Sequence, residues 1–203
     1  MNDRLFYDQS RGKYQSDRVA WRDNCHSVGE IPPPVRRWLL DESSLTRHLQ
    51  QASLQSFAVQ VLRQEWASPL AHERRVLDLG VREAAQLRET LLLVDKVPWV
   101  FARSVIPAAT LTGSNRCLRR LGNQSLGSWL FQTPSLRRSR FQFARINPGN
   151  ELVPAALQGQ RPLWGRRSRF EVRGKPLLVC EIFLPDFRPW PETGGQFARR
   201  ILR

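Results

Sequence analysis

LWGRRSRFEVRGKPLLVCEIFLP (163–185) reads as two strands joined by the turn Arg173-Gly174-Lys175-Pro176. The second half, 177–184, is an eight-residue run of bulky and β-branched residues ahead of Pro185, the pattern of a strand buried on at least one face. Side chains alternate along a strand, so Leu177, Val179, Glu181 and Phe183 share a face. Glu181 is the only charged residue in that run. A carboxylate placed there loses hydration and needs a cation, a hydrogen-bond donor or a proton. Glu181 is therefore the first candidate for chemistry. On the preceding strand, alternation puts Arg167 and Arg169 on one face and Arg166 on the other. WGRRS (164–168) reads as a solvated basic strand more readily than as a phosphate grip.

Working outward, a hairpin is expected from arms near 83–94 and 99–106 around Asp95-Lys96-Val97-Pro98. Another strand begins at about Ser56, and one more lies near 137–146. Pro32, Pro33 and Pro34 open a short helix over 35–40, and Asp41, Ser43 and Ser44 supply N-cap chemistry for a second over 44–52. Residues 113–131 read as a helix interrupted at Gly122 and Gly127, and 67–82 as mixed structure with a turn near Pro69. Strands paired by tight turns, with helices in two separate places, predict an α+β fold on an antiparallel sheet rather than βαβ units. Residues 1–27 are polar and aperiodic and are expected to form a mobile N-terminal extension; 28–185 form the domain and 186–203 a tail.

With 203 residues the chain suits one sizeable core, and 41% hydrophobic content marks it as globular. A formal charge of +14 raises nucleic acid or an acidic membrane surface as partners. Only Lys13, Lys96 and Lys175 among the 32 basic side chains are lysines. Cys25, Cys117 and Cys180 are odd in number and widely spaced, which suggests a reducing compartment rather than a disulfide framework. No apolar stretch approaches the roughly 18 residues of a membrane span, and a cytoplasmic protein is expected. His26, His48 and His72 lack metal-ligand spacing and are read as surface residues. The absence of GxGxxG, GxxxxGK[ST] and GxSxG removes dinucleotide, P-loop and α/β-hydrolase readings.

Arg88 is the second candidate. In Leu87-Arg88-Glu89-Thr90-Leu91-Leu92-Leu93, alternation sets Arg88 with Thr90 and Leu92, and Glu89 on the opposite face. An Arg facing a core suits bidentate capture of a carboxylate. Two arrangements are open: an internal Arg88–Glu181 salt bridge, or one pocket in which Arg88 grips an anion and Glu181 a hydroxyl.

Four segments in this order, RRWLLDESSLT (36–46), LRETLLLVDKVPWVFARSVIP (87–107), LGNQSLGSWLF (121–131) and LWGRRSRFEVRGKPLLVCEIFLP (163–185), resemble the chorismate pyruvate-lyase family. The resemblance implies one domain with an antiparallel sheet, flanking helices and two helical flaps over a buried pocket. It also implies a cofactor-independent carbon–oxygen lyase with no metal, which eliminates pyruvate from chorismate to give 4-hydroxybenzoate for ubiquinone biosynthesis. By motif, Arg88 would bind the ring carboxylate and Glu181 the ring hydroxyl. Leu45 and Leu126 would line the pocket from the flaps; some family members carry Met at the Leu45 position. Arg167 is the residue suggested for the second, pyruvyl carboxylate.

A monomer acting on a small molecule is expected, without nucleic acid. One rival is an aromatic-acid sensor of the same fold, but residues 1–30 are too few to encode a winged DNA-binding domain ahead of it. The other is RNA binding through the Arg-rich 137–175 region, where Phe141, Phe143 and Phe170 alternate as core residues would.

Overall fold

The two hairpins organise the molecule, seen here in a computed structural model that describes residues 19–189. Strand β1 (Phe57–Ala67) pairs with β2 (Ala85–Val94), and β2 with β3 (Val97–Pro107). Strands β4 (Arg137–Arg138) and β5 (Gln142–Ile146) both pair with β6 (Leu163–Val172), which turns into β7 (Lys175–Phe183). The β3–β7 pairing joins the halves into one antiparallel sheet of order β1-β2-β3-β7-β6-β4, with β5 beside β4 on the same edge of β6. The predicted fold class holds.

Turn chemistry sets the register. Asp95 and Lys96 have φ of 49° and 70°, and Arg173 and Gly174 have 52° and 72°. Two successive positive φ values match the twist of a tight hairpin. The Asp95 carboxylate also accepts the N–H groups of Leu54, Gln55 and Ser56, which lower its pKa and tie the start of β1 to this turn.

Helices α1 (Pro33–Leu40), α2 (Leu45–Ala52) and α4 (Leu126–Phe131) roof one face of the sheet, and α3 (Ala71–Leu77) packs on the other. Each is eight residues or fewer, too short to be stable alone in water. Caps and burial hold them: Ser44 accepts from Arg47 N–H, Ser125 from Ser128 N–H, and Leu39 and Leu49 are fully buried. Strand β2 is buried along nearly its whole length because both of its faces are covered.

Four expectations change. The helix foreseen over 113–131 is a 3-10 turn, Gly113–Arg120, then α4; Gly122, at φ 53°, separates them. The strand foreseen over 137–146 is broken between β4 and β5. The mixed stretch 67–82 contains α3. Residues 19–27, expected to be mobile, are packed: Arg22 bridges Phe143, and Val19 and Cys25 are buried. The remainder of that extension, 1–18, lies outside the described residues, as do 190–203 of the expected tail; Phe187 is buried beside Trp38, Trp99 and Phe183.

Candidate active site

Register places Glu181 opposite Ala102 on β3, and Ala102 opposite Thr90 on β2, two residues from Arg88. Two strand spacings and two residues along a strand separate the Arg88 and Glu181 Cα atoms by about 12 Å. Both side chains line one cavity under the roof, with Ser104 and Thr90 on the floor between them. They are ends of a pocket. Neither is the other's salt-bridge partner.

Arg88 is 2% exposed, yet no carboxylate pairs with it among the described residues. Its Nη2 donates to the carbonyls of Gly122 and Gln124, both at 2.9 Å, and its Nε is buried without an acceptor. Burial lowers its pKa to about 10. A guanidinium at that value is still charged near neutrality, and a bound carboxylate would supply the missing counter-charge.

Glu181 is less buried than its sequence context suggests, at 21% side-chain exposure. Its partner is Arg166, the cross-strand neighbour on β6, whose Nε donates to Oε2 at 2.7 Å. Arg166 is itself 2% exposed, and its Nη1 donates to the carbonyls of Trp38, Leu39 and Asp41 at 2.8, 3.2 and 2.6 Å. One guanidinium therefore fixes the carboxylate and the C-terminal carbonyls of α1 together. Glu181 Oε1 has no hydrogen-bond partner among the described residues, which leaves one oxygen for a ligand.

The roof meets over the cavity. Leu45 at the start of α2 and Leu126 at the start of α4 are both 5% exposed and line it from above. Thr46 Oγ1 and Ser125 Oγ are hydrogen-bonded at 2.7 Å. A Cβ at position 127 would lie 2.8 Å from Thr46 Oγ1, so Gly127 permits this approach. The cavity is about 40 Å³, well below the roughly 150 Å³ that holds a bare benzene ring. An aromatic acid enters only if the roof moves. Of the residues named from sequence, Arg88, Glu181, Leu45 and Leu126 are brought together at this cavity.

Arg167 is not. It lies on the opposite face of the sheet, stacked on Trp21 at 4.5 Å, with Nε on Gln142 Oε1 and Nη1 on His72 Nδ1 at 3.0 Å. Alternation along β6 sends it there, where it cannot reach a carboxylate bound in the cavity. Sequence reasoning missed Arg166 and Arg138, the cations of β6 and β4 that do line the cavity. The other face also holds Arg103, bound to Glu73 through Nε at 2.7 Å and Nη2 at 3.0 Å, and to Glu89 through Nη1. Burial alone would lower its pKa; the hydrogen bonds and charges of the two carboxylates outweigh that and raise it. Phe141, Phe143 and Phe170 are buried, so they are not stacking platforms.

His26 is exposed, but His48, which contacts Asp41 at 3.3 Å, and His72 are both half-buried, contrary to their reading as surface residues. Arg167 can only donate, so His72 Nδ1 accepts and Nε2, buried without a partner, carries the proton. Burial, opposed by Glu73 and aided by Arg167, Arg103 and Arg75, lowers its pKa to about 4. The unfolded value is near 6.5, so below it the unfolded chain binds the extra proton. Stability present above pH 6.5 is then lost as pH falls toward 4, by up to about 3 kcal/mol. Urea unfolding from pH 7 to 4.5 should show this loss, and His72→Gln should flatten it; equal slopes in the two proteins would contradict it. Asp41 and Asp95, whose pKa values are lowered, add their own loss mainly at and below their unfolded values.

No group of three or more His, Cys, Asp or Glu is placed to hold a metal ion among the described residues. No helix among them is long and apolar enough to cross a membrane. A Cupriavidus metallidurans protein named "Probable chorismate pyruvate-lyase" is 40% identical over 197 residues, covering 93% of this chain and 92% of its own. One of the same name from Methylococcus capsulatus is 40% identical over 162 residues, covering 78% and 99%. The crystal structure of the PhnF C-terminal domain, 19% identical, shares the fold with a TM-score of 0.52 over 68% of this chain and 87% of that one. The chorismate lyase family matches residues 15–191, nearly the full length, and the chain belongs to that family.

Proposed function

We propose that the protein is a cofactor-independent chorismate pyruvate-lyase whose aromatic product is 4-hydroxybenzoate, the ring precursor for ubiquinone biosynthesis. The observation that carries this reading is Arg88: a buried cation with no carboxylate partner among the described residues, lining the same cavity as Glu181. That spacing suits a six-membered ring with a carboxylate at one end and a hydroxyl at the para position.

In the reaction, the hydrogen on the hydroxyl-bearing ring carbon leaves as a proton and its electron pair enters the ring. The neighbouring ether C–O bond breaks, and its pair departs on the oxygen of enolpyruvate. That enolate takes a proton at its methylene carbon and becomes pyruvate, so no net proton or electron is required. Aromatisation makes the step downhill, and the protein has to position the ring and handle one proton. Arg88 holds the ring carboxylate. Glu181, with Oε2 fixed by Arg166, presents Oε1 to the hydroxyl-bearing carbon, where it receives the proton or orients the hydroxyl. A closed roof excludes water and strengthens both contacts.

Glu181→Gln keeps the shape and removes the charge. It should lower kcat for pyruvate release from chorismate by about 10²–10³ if the carboxylate handles the proton. Affinity for 4-hydroxybenzoate, measured by calorimetry, should change far less. A kcat within threefold of wild type would remove Glu181 from the chemistry.

A further inference from the structure

Chorismate carries a carboxylate that 4-hydroxybenzoate lacks, on the enolpyruvyl group. Its ether is borne by the ring carbon next to the one bearing the hydroxyl. With the hydroxyl at Glu181, that second carboxylate falls at the Glu181 end of the cavity and not at Arg88. Two arginines line that end, Arg166 and Arg138.

Arg166 is already committed to Glu181 and to three carbonyls of the roof. The Arg138 side chain makes no hydrogen bond and no ion pair among the described residues. It lies opposite Phe170 in the β4–β6 pairing, and cross-strand partners share a face, so it points to the cavity that Phe170 also lines. Its guanidinium carbon stands 4.5 Å from the centre of the Phe141 ring, and that of Arg166 stands 4.4 Å from the same ring. Two cations are thus held on one aromatic ring, and the carboxylates of Glu42, Glu181 and Asp41 act on Arg138 from nearby without pairing with it. Burial lowers the pKa of Arg138 first and the charge of Arg166 lowers it further, together outweighing the opposing charges of Glu42, Glu181 and Asp41. The Arg138 side chain keeps its donors uncommitted at this end of the pocket, ready for a charge-assisted pair with an anionic group.

We propose that Arg138 binds the enolpyruvyl carboxylate of chorismate, and so distinguishes substrate from aromatic product. The inference rests on the reaction proposed above. When the ether bond breaks, the departing enolpyruvate stays beside Arg138 while the ring stays between Arg88 and Glu181. Arg138 therefore contributes to capture of substrate and to stabilising the negative charge that develops on the leaving oxygen. It contributes nothing to binding of 4-hydroxybenzoate.

The test pairs two readouts on Arg138→Gln and Arg138→Lys. Pyruvate release gives kcat/KM for chorismate, and calorimetry gives Kd for 4-hydroxybenzoate, which also reports an intact pocket. Arg138→Gln should lose about thirtyfold in kcat/KM while the 4-hydroxybenzoate Kd moves by less than about twofold. Arg138→Lys, which keeps the charge, should recover most of the loss. An unchanged kcat/KM in Arg138→Gln overturns the assignment. So does a parallel loss of 4-hydroxybenzoate affinity, which would mean Arg138 merely supports the wall. An Arg138→Lys variant as impaired as Arg138→Gln overturns it as well. Absence of pyruvate release from the wild-type protein rejects the reaction itself, a result distinct from failure at Arg138 alone.

Discussion

Arg88→Ala is expected to lower kcat/KM for chorismate by about a thousandfold, equivalent to roughly 4 kcal/mol of lost transition-state stabilisation. Removing the guanidinium leaves a ring carboxylate with no cation in an enclosed site, and truncating one member of a buried charge pair has effects of this size. Stability should respond differently. Arg88 spends its hydrogen bonds on two carbonyls and has no carboxylate partner among the described residues, so its removal also relieves a desolvated charge. Urea unfolding of Arg88→Ala should therefore shift by no more than about 1.5 kcal/mol. Arg88→Lys should remain far below wild type, because an ammonium cannot hold the roof carbonyls and a carboxylate in one planar fork. Activity within tenfold of wild type in Arg88→Ala would contradict the role assigned to it.

Glu73→Ala is expected to have the larger effect on folding, a loss of about 3–5 kcal/mol by urea denaturation. Glu73 is 1% exposed and holds Arg103 through two hydrogen bonds. Its Oε2 also accepts the Leu70 N–H at 2.8 Å and caps α3. The variant leaves Arg103 buried with Glu89 alone and opens the first turn of the helix. At a temperature where the variant is still folded, turnover should stay near the wild-type value, since this network lies on the face of the sheet away from the cavity. A loss under about 1 kcal/mol would mean that water reaches Arg103 and replaces the carboxylate.

The antiparallel sheet and the inward direction of Glu181 and Arg88 were legible because strand periodicity assigns faces without knowledge of neighbours. The partner of Glu181 depends on register. That register was within reach: a two-residue turn at Arg173-Gly174 pairs Val172 with Lys175, and counting outward pairs Arg166 with Glu181. Alternation separates Arg167 from Arg166 without saying which of them shares a face with Glu181; the Arg166–Glu181 register decides it and sends Arg167 to the other face. Arg138 could not be found this way, because the break between β4 and β5 interrupts the alternation that would have placed it. His72 looked exposed because its segment shows no clear period; its burial follows from docking of α3 and of residues near Trp21 on the back of the sheet. The Thr46–Ser125 contact joins residues 79 apart, and no local pattern encodes it.

A pocket of the proposed kind converts chorismate to one particular aromatic acid. Purified protein incubated with chorismate and a metal chelator, with products separated by chromatography and quantified, tests it most directly. Pyruvate and 4-hydroxybenzoate should form in equal amounts, at a rate unaffected by the chelator. A different hydroxybenzoate isomer, or no pyruvate at all, would contradict it.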